Sequence, residues 1–150
     1  MKIAIGNDHA GYDMKLVIKG MLEEQGYELI DCGSHSTESC DFPIYAKKVA
    51  DAVASGEAEK GILICGTGIG VSITANKVKG IRCALCNDIL SAELTRQHNN
   101  TNILAFGARI IGEETAKAVV NKWMSTDFLG GKYQRRLDMV TAIENGEDIG

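Results

Sequence analysis

Short apolar runs alternate with helical patterns along the whole 150-residue chain, and this alternation constrains the fold more than any other feature. Most of the runs are apolar at every position, which is typical of parallel strands that are covered on both faces. The segments between them carry apolar residues at i, i+3, i+4 and i+7, the spacing of an amphipathic helix. The runs predict five strands, at Lys2–Gly6, Tyr27–Cys32, Gly61–Cys65, Arg82–Cys86 and Asn102–Phe106.

A repeated strand–helix pattern of this kind predicts an α/β protein with a three-layer, Rossmann-like fold. We expect a five-stranded parallel sheet with helices on both faces, in a single domain over residues 1–150, because no linker or repeat divides the chain. The last helical segment, Lys132 to Ile143, has no strand after it. It is therefore predicted to be a terminal helix that packs on this domain or on another subunit, and we favour a partner subunit.

The charge and hydropathy of the chain exclude several classes of protein. The net charge of −4 argues against a nucleic-acid surface, which needs clustered Lys and Arg to neutralise phosphates. No stretch approaches the roughly 18 apolar residues that cross a bilayer, and the N-terminus turns polar too early for a signal peptide. We therefore expect a cytoplasmic protein with neither a nucleic-acid nor a membrane partner.

Five cysteines are present, but their spacing does not predict a disulfide framework. Cys83 and Cys86 form a C-x-x-C string within a predicted strand, where residues three apart point to opposite faces. Two thiols placed in this way cannot bind one metal ion, and no second Cys or His pair completes a zinc site. Both are predicted to be small buried apolar residues, and no metal or cofactor is expected.

Ligands of open parallel sheets bind beyond the carboxyl ends of the strands. After the third predicted strand, Cys65 is followed by a glycine-rich turn whose backbone N–H groups could hold an anion at a helix N-terminus. The dinucleotide fingerprint fails because Val71 stands where its last glycine belongs. A thiol at such a turn can serve as a base or nucleophile, and the alternative is a core cysteine beside a packing turn. The candidate residues of this turn are Gly66, Thr67, Gly68, Ile69 and Gly70.

Polar residues elsewhere add further candidates. Asp8 and His9 follow the first predicted strand at the same rim; Asp8 could instead cap the first helix, and His9 is favoured as a phosphate or hydroxyl contact. Lys132 and Arg136 lie four apart on the last helix, where a bound phosphate would offset their mutual repulsion, although a solvated basic face is the alternative.

His98 raises a topological question. It closes the helix before the fifth predicted strand, which places it at the opposite edge of the sheet from Cys65. A histidine at such a position is usually a capping or surface residue. If His98 is catalytic, it should serve a site on another subunit across a two-fold interface.

Six segments over nearly the whole chain form one combination: Asn7–Gly11, Asp41–Pro43, Ile64–Gly70, Arg96–Asn99, Asn102–Arg109 and Gly130–Gly131. This combination resembles type B ribose-5-phosphate isomerases, whose sister enzymes are galactose-6-phosphate isomerases. The Cys-Gly-Thr-Gly segment together with Arg-Gln-His-Asn is the most specific part of the resemblance.

The resemblance implies a metal-free aldose–ketose isomerisation of ribose 5-phosphate through an enediolate, in a homodimer with shared active sites. Cys65 would remove the proton from C2 and return it at C1, while the amides of Gly66 to Gly70 hold the negative oxygen. The resemblance also implies that Thr67 assists proton movement on the hydroxyls and that Asp8 orients the sugar. His98 of the neighbouring subunit would open the sugar ring. Asn99 and Arg109 would contact the substrate, and the phosphate would be bound by His9, Lys132 and Arg136.

Two positions depart from the family pattern. Lys132 stands where an arginine is common, which keeps the charge but loses the planar fork, and Phe42 replaces a frequent tyrosine. A galactose-6-phosphate or allose-6-phosphate isomerase is therefore one alternative. The other is a non-enzymatic nucleotide- or phosphate-binding module that uses the same glycine-rich turn. The choice between a dimer and a tetramer stays open.

Overall fold

The computed structural model describes residues 1–150 and contains five strands, six α-helices and a 3-10 helix at His9–Gly11. The strands are β1 (Lys2–Asn7), β2 (Glu28–Asp31), β3 (Lys60–Cys65), β4 (Cys83–Leu85) and β5 (Ile103–Gly107). The helices are α1 (Tyr12–Glu24), α2 (Phe42–Ala54), α3 (Ile69–Asn76), α4 (Ile89–Asn99), α5 (Glu113–Ser125) and α6 (Lys132–Glu144). All strands are parallel, in the order β2-β1-β3-β5-β4, so the predicted α/β fold is confirmed.

Two hydrophobic cores, one on each face of the sheet, hold the helices in place. The first core joins the sheet to α1, α4 and α5 and includes the fully buried Trp123, while the second joins it to α2 and α3. Strand β3 contributes to both, because Ile62 and Ile64 face the first core and Leu63 and Cys65 face the second. The thiol of Cys65 therefore lies on the α2/α3 side of the sheet.

The order of strands creates a crevice between β1 and β3. The chain leaves β1 towards β2 through α1 on one face, and it leaves β2 towards β3 through α2 on the other face. The backbone N–H of Asp8 donates to the carbonyl of Ile64 (3.2 Å), so the ends of the two strands are joined directly. Such a reversal of strand order is where ligands bind in open α/β sheets.

The C-x-x-C string behaves as its position in a strand predicts. Cys86 belongs to the first core, whereas Cys83 packs against the second, on the opposite face of the sheet. Burial raises the pKa of the Cys83 thiol to about 12 and that of the Cys86 thiol to about 11. Both thiols are therefore protonated at neutral pH and are poor nucleophiles.

A buried cation supports the loop that follows β2. The Nζ atom of Lys15, only 1 % exposed, donates to the carbonyl of Ser34 (2.8 Å) and to Oδ1 of Asp31 (3.2 Å). Burial opposes the ionised form of Asp31, but the N–H of Gly33 and the ammonium groups of Lys15 and Lys19 outweigh it. The pKa of Asp31 is therefore below its ordinary value.

We expect Lys15→Met to destabilise the protein by about 1.5–3 kcal/mol, because the carbonyl of Ser34 and one oxygen of Asp31 lose a charged donor. Lys19→Met, which removes a half-buried and more accessible partner of the same carboxylate, is the control, with an expected loss of about 0–1 kcal/mol. Urea unfolding at one protein concentration measures both. Because the pKa of Asp31 is lowered in the folded protein, the stability contributed by its ionised form is fully present above the pKa that it has in the unfolded chain. This stability is lost as the pH falls through the lower pKa of the folded protein. Equal losses of stability in Lys15→Met and Lys19→Met would contradict the structural role given to the buried Lys15.

The terminal helix α6 has one buried residue, Leu137, and it packs against α4 of its own chain. Its other large apolar side chains, Met139, Val140 and Ile143, are exposed. Packing of α6 on a partner subunit remains a prediction. None of the helices combines the length and the apolar character needed to cross a bilayer.

Candidate active site

Cys65 ends β3 at the start of a tight turn into α3. Its side chain is 5 % exposed, and its Sγ atom accepts a hydrogen bond from the backbone N–H of Gly68 (3.1 Å). Gly68 has φ +80°, and a Cβ atom there would lie 2.7 Å from the backbone carbonyl carbon of Phe106, so only glycine fits. The turn thus directs an N–H donor at the start of α3 towards the sulfur.

The same turn offers backbone donors to a ligand. The N–H groups of Gly66, Thr67 and Gly70 form no hydrogen bond within the chain, whereas that of Ile69 donates to Oγ1 of Thr67 (3.2 Å). Free N–H groups clustered at the start of a helix form an anion-binding site. The turn next to the thiol is therefore a candidate anion-binding turn.

Two side chains form the walls of the turn. The side chain of Arg109 passes over Gly66, where a Cβ atom would lie 3.4 Å from Cδ of the arginine. The backbone of Arg109 is held at the turn, because its N–H donates to the carbonyl of Gly66 (3.0 Å). On the other side the ring of Phe42 lies against Gly70, since a Cβ atom there would be 2.8 Å from the ring. A cation and an aromatic ring therefore flank the anion-binding turn.

Asp8 caps a helix, which was the alternative to ligand binding in the sequence analysis. Its Oδ1 atom accepts the N–H groups of Ala10 (2.9 Å) and Gly11 (3.1 Å) at the start of the 3-10 helix. The second oxygen, Oδ2, has no hydrogen bond within the chain and is available to a ligand at the same rim as Cys65. Capping and ligand binding can therefore be carried out by the two oxygens of one carboxylate.

His9 is oriented by the loop after β2. Its Nδ1 atom accepts the backbone N–H of Cys40 (3.3 Å), and the thiol of Cys40 lies 3.9 Å from the same nitrogen. In the neutral imidazole the proton is then on Nε2, so that the half-buried ring presents an N–H donor. A donor at this rim suits a phosphate or hydroxyl oxygen.

His98 and Asn99 lie elsewhere. Helix α4 begins after the carboxyl end of β4 and ends near the amino end of β5, so both residues are at the opposite edge of the sheet from Cys65. The buried Arg96 holds this helix end, donating to the carbonyls of Thr101 (2.6 Å) and Thr126 (3.2 Å). Within one chain, His98 is therefore not part of the rim that contains Cys65.

The basic residues of α6 join His98 through a residue that the sequence analysis missed. The rings of His98 and Tyr133 are stacked, with centroids 4.4 Å apart and planes 16° from parallel. Nζ of Lys132 lies 5.3 Å from the centroid of the Tyr133 ring, and the guanidinium of Arg136 lies 5.7 Å from it. The candidate residues thus form two groups, and the second group surrounds Tyr133.

The cavity of the chain is lined by neither Cys65 nor His98. It has a volume of about 520 Å³ and is enclosed by α6, β4 and the end of α4, with Asn99 in its lining. Its one thiol, Cys83, is protonated because burial raises its pKa to about 12. No group of three or more His, Cys, Asp or Glu side chains in the chain is arranged to hold a metal ion. The open rim beside Cys65, where a thiol lies next to free N–H donors, is therefore the candidate site.

The chain is similar to known proteins over nearly its whole length. A sequence model described as Ribose/Galactose Isomerase matches residues 3–140. The chain is 52% identical to ribose-5-phosphate isomerase B of Escherichia coli over 95% of its length and 96% of that protein. It is 40% identical to a D-erythrulose-4-phosphate isomerase of Pectobacterium atrosepticum over 98% and 97% of the two chains. The structure of ribose-5-phosphate isomerase B from Clostridium thermocellum superposes with a TM-score of 0.96 at 48% identity, covering 97% of this chain and 99% of that one.

Proposed function

Since the chain belongs to the ribose/galactose isomerase family, we propose that it interconverts ribose 5-phosphate and ribulose 5-phosphate through an enediolate. The observation that supports this most is the thiol of Cys65, which accepts a hydrogen bond from a turn where the N–H groups of Gly66, Thr67 and Gly70 are free. A binding module has no use for a thiolate at that point. The chain is an isomerase, and the non-enzymatic alternative is not retained.

In the proposed reaction, the Cys65 thiolate takes the proton from C2 of the open-chain aldose. The electron pair of the broken C–H bond forms the C1–C2 double bond, and the carbonyl oxygen at C1 becomes an oxyanion. The N–H groups of Gly66, Thr67 and Gly70 stabilise this charge, because donors that are already oriented cost no reorganisation during the reaction. After the O2 proton has moved to O1, the electron pair left on O2 forms the C2 carbonyl, and the C1–C2 pair takes the proton back from the thiol at C1, which yields the ketose.

The remaining residues of the rim bind and orient the substrate. Thr67 assists the movement of a proton from O2 to O1, and Oδ2 of Asp8 binds a sugar hydroxyl. Nε2–H of His9 donates to the phosphate, and Arg109 contacts the substrate from above Gly66. These roles match the donors and acceptors that each side chain leaves free in the chain.

His98, Asn99, Lys132 and Arg136 are assigned to the site of a partner subunit in a homodimer. One surface supports this: Ile73 of α3, Leu85 of the edge strand β4 and Leu90 of α4 are large, apolar and exposed. An unpaired edge strand with apolar neighbours is a typical place for association. Leu85 also touches Gly68, so that a partner covering this surface would reach the turn beside Cys65. There, His98 would open the sugar ring as an acid, Asn99 would contact the sugar, and the two cations would bind the phosphate. A cytoplasmic location fits this metabolic role.

The substrate is tested by kinetic assays on the purified protein. We expect the highest kcat/KM with ribose 5-phosphate, compared with allose 6-phosphate, galactose 6-phosphate and erythrose 4-phosphate. A chelator should leave the rate unchanged, because the proposed steps use thiol, hydroxyl, imidazole and backbone groups. A higher kcat/KM with another sugar phosphate, or a loss of rate restored by a divalent cation, would refute the proposal.

Erythrose 4-phosphate and its ketose are the second candidate pair. The relative at 40% identity is a D-erythrulose-4-phosphate isomerase, and the apolar ring of Phe42 lies against Gly70 of the turn. A tetrose 4-phosphate cannot form a five-membered ring, because its O4 carries the phosphate. Activity on this pair would therefore not require His98, whereas activity on ribose 5-phosphate would.

A further inference from the structure

Tyr133 is the one half-buried residue in the exposed first turn of α6, and its aromatic ring is shared by three charged or titratable side chains. The imidazole of His98 stacks on it at 4.4 Å, and the cationic ends of Lys132 and Arg136 lie within 6 Å of its centroid. Stacked rings and cations over a ring face are both attractive arrangements. Tyr133 is therefore the common contact of the second group of candidate residues.

The backbone brings Tyr133 to His98 through the loop between α5 and α6. The N–H of Leu129 donates to the carbonyl of Gln97 (3.1 Å), which joins this loop to the last turn of α4. Gly130 and Gly131 then adopt positive φ angles of 68° and 58°, which few other residues tolerate, and α6 begins at the next residue. The first turn of α6 is thus held beside the end of α4.

From this geometry we propose that Tyr133 is a positioning residue of the active site. Its ring holds the imidazole of His98 and the cations of Lys132 and Arg136 as one unit, so that the acid and the phosphate-binding groups reach the sugar in a fixed relation. This inference rests on the proposed function, which assigns His98 to ring opening and the two cations to the phosphate. Tyr133 itself acts through these residues and touches no reacting atom.

A flat aromatic ring is what the proposal requires at this position. Tyr133→Phe keeps the ring, so its kcat/KM with ribose 5-phosphate should stay within about twofold of the unchanged protein. Tyr133→Ala removes the stack, and Tyr133→Leu keeps the bulk without the ring. In both, kcat/KM should fall by about two- to tenfold, and the Ki of inorganic phosphate as a competitive inhibitor should rise by about two- to fivefold.

Gln134→Ala is the matched control, because Gln134 neighbours Tyr133 on α6 and its side chain bonds only Asp138 (2.7 Å). Its kcat/KM and phosphate Ki should not change. If Tyr133→Leu matches Tyr133→Phe in both measurements, the residue merely fills space and the proposal is wrong. Urea unfolding of each variant at one protein concentration separates a loss of folded protein from a loss of positioning.

A double-mutant cycle separates this inference from the proposed function. In a His98→Ala background, Tyr133→Ala should lower kcat/KM only by the part that the change in phosphate Ki explains. If the two single losses simply multiply, Tyr133 does not act through His98 and the inference fails. If His98→Ala alone leaves kcat/KM unchanged, the proposed role of His98 fails instead, and the phosphate Ki still tests the contact of Tyr133 with the two cations.

Discussion

The Cys65→Ala protein is expected to bind ribulose 5-phosphate normally but to isomerise it about 10²–10⁴ times more slowly, the usual contribution of a positioned general base. The thiol accepts a hydrogen bond from the turn, through the N–H of Gly68 at 3.1 Å. Its removal leaves the free N–H groups of the turn in place. Stabilisation of the oxyanion and binding should therefore survive while proton transfer does not.

Two further cysteine variants make this test specific. Cys65→Ser retains an acceptor for the N–H of Gly68, but a hydroxyl is a far weaker base than a thiolate, so we expect a loss close to that of Cys65→Ala. Cys86→Ala is the control, because burial raises the pKa of that thiol to about 11 and its side chain lies in the opposite core. Measurements of kcat, with binding followed by calorimetry, decide the matter. A kcat within about threefold of the unchanged protein would remove Cys65 from the role of base.

Mixing two inactive variants is expected to restore activity if the active site is shared between subunits. Cys65→Ala and His98→Ala each inactivate both sites of their own homodimer toward ribose 5-phosphate. In a heterodimer, one site carries both changes and the other carries neither. Random pairing makes half of the dimers heterodimers, so activity should recover to about a quarter of the unchanged protein in a two-fold dimer with independent sites.

The structural reason for this expectation is that Cys65 and His98 lie at opposite edges of the sheet. Cys65 is at the carboxyl end of β3, whereas His98 ends α4 near the amino end of β5. A mixture of Cys65→Ala with Cys65→Ser is the control, because every site in it lacks the thiol, and no recovery should follow. If verified heterodimers of Cys65→Ala and His98→Ala are also inactive, both residues act within one chain and our placement of His98 is wrong.

The layout of the fold was predictable from local patterns. All five predicted strands are present, and their observed bounds differ from the predicted ones by at most one residue at each end. The two edge strands, β2 and β4, are each one residue shorter at both ends than predicted, and each is bonded to only one neighbouring strand. The opposite orientations of Cys83 and Cys86 also follow from local geometry, since the side chains of any strand alternate.

The candidate site was predictable in part. The turn after Cys65 could be identified because its glycines and its place after a strand are both local features of the sequence. The capping of the 3-10 helix by Asp8 was one of two readings, and only the structure assigns one carboxylate oxygen to it. The orientation of His9 by the N–H of Cys40 was out of reach, because the two residues are 31 positions apart. No sequence pattern marks a loop residue as the partner of a distant imidazole.

The sequence by itself determined the strands, most of the helix positions and the turn that carries Cys65, because hydrophobic periodicity, glycine spacing and alternation of side chains act over a few residues. Only the tertiary structure decided which distant side chains meet. Tyr133 stacks on His98 because the bond from Leu129 to Gln97 and two positive φ angles bring α6 against α4. The contact joins residues 35 positions apart, and packing free energy, unlike local propensity, depends on the arrangement of the whole chain.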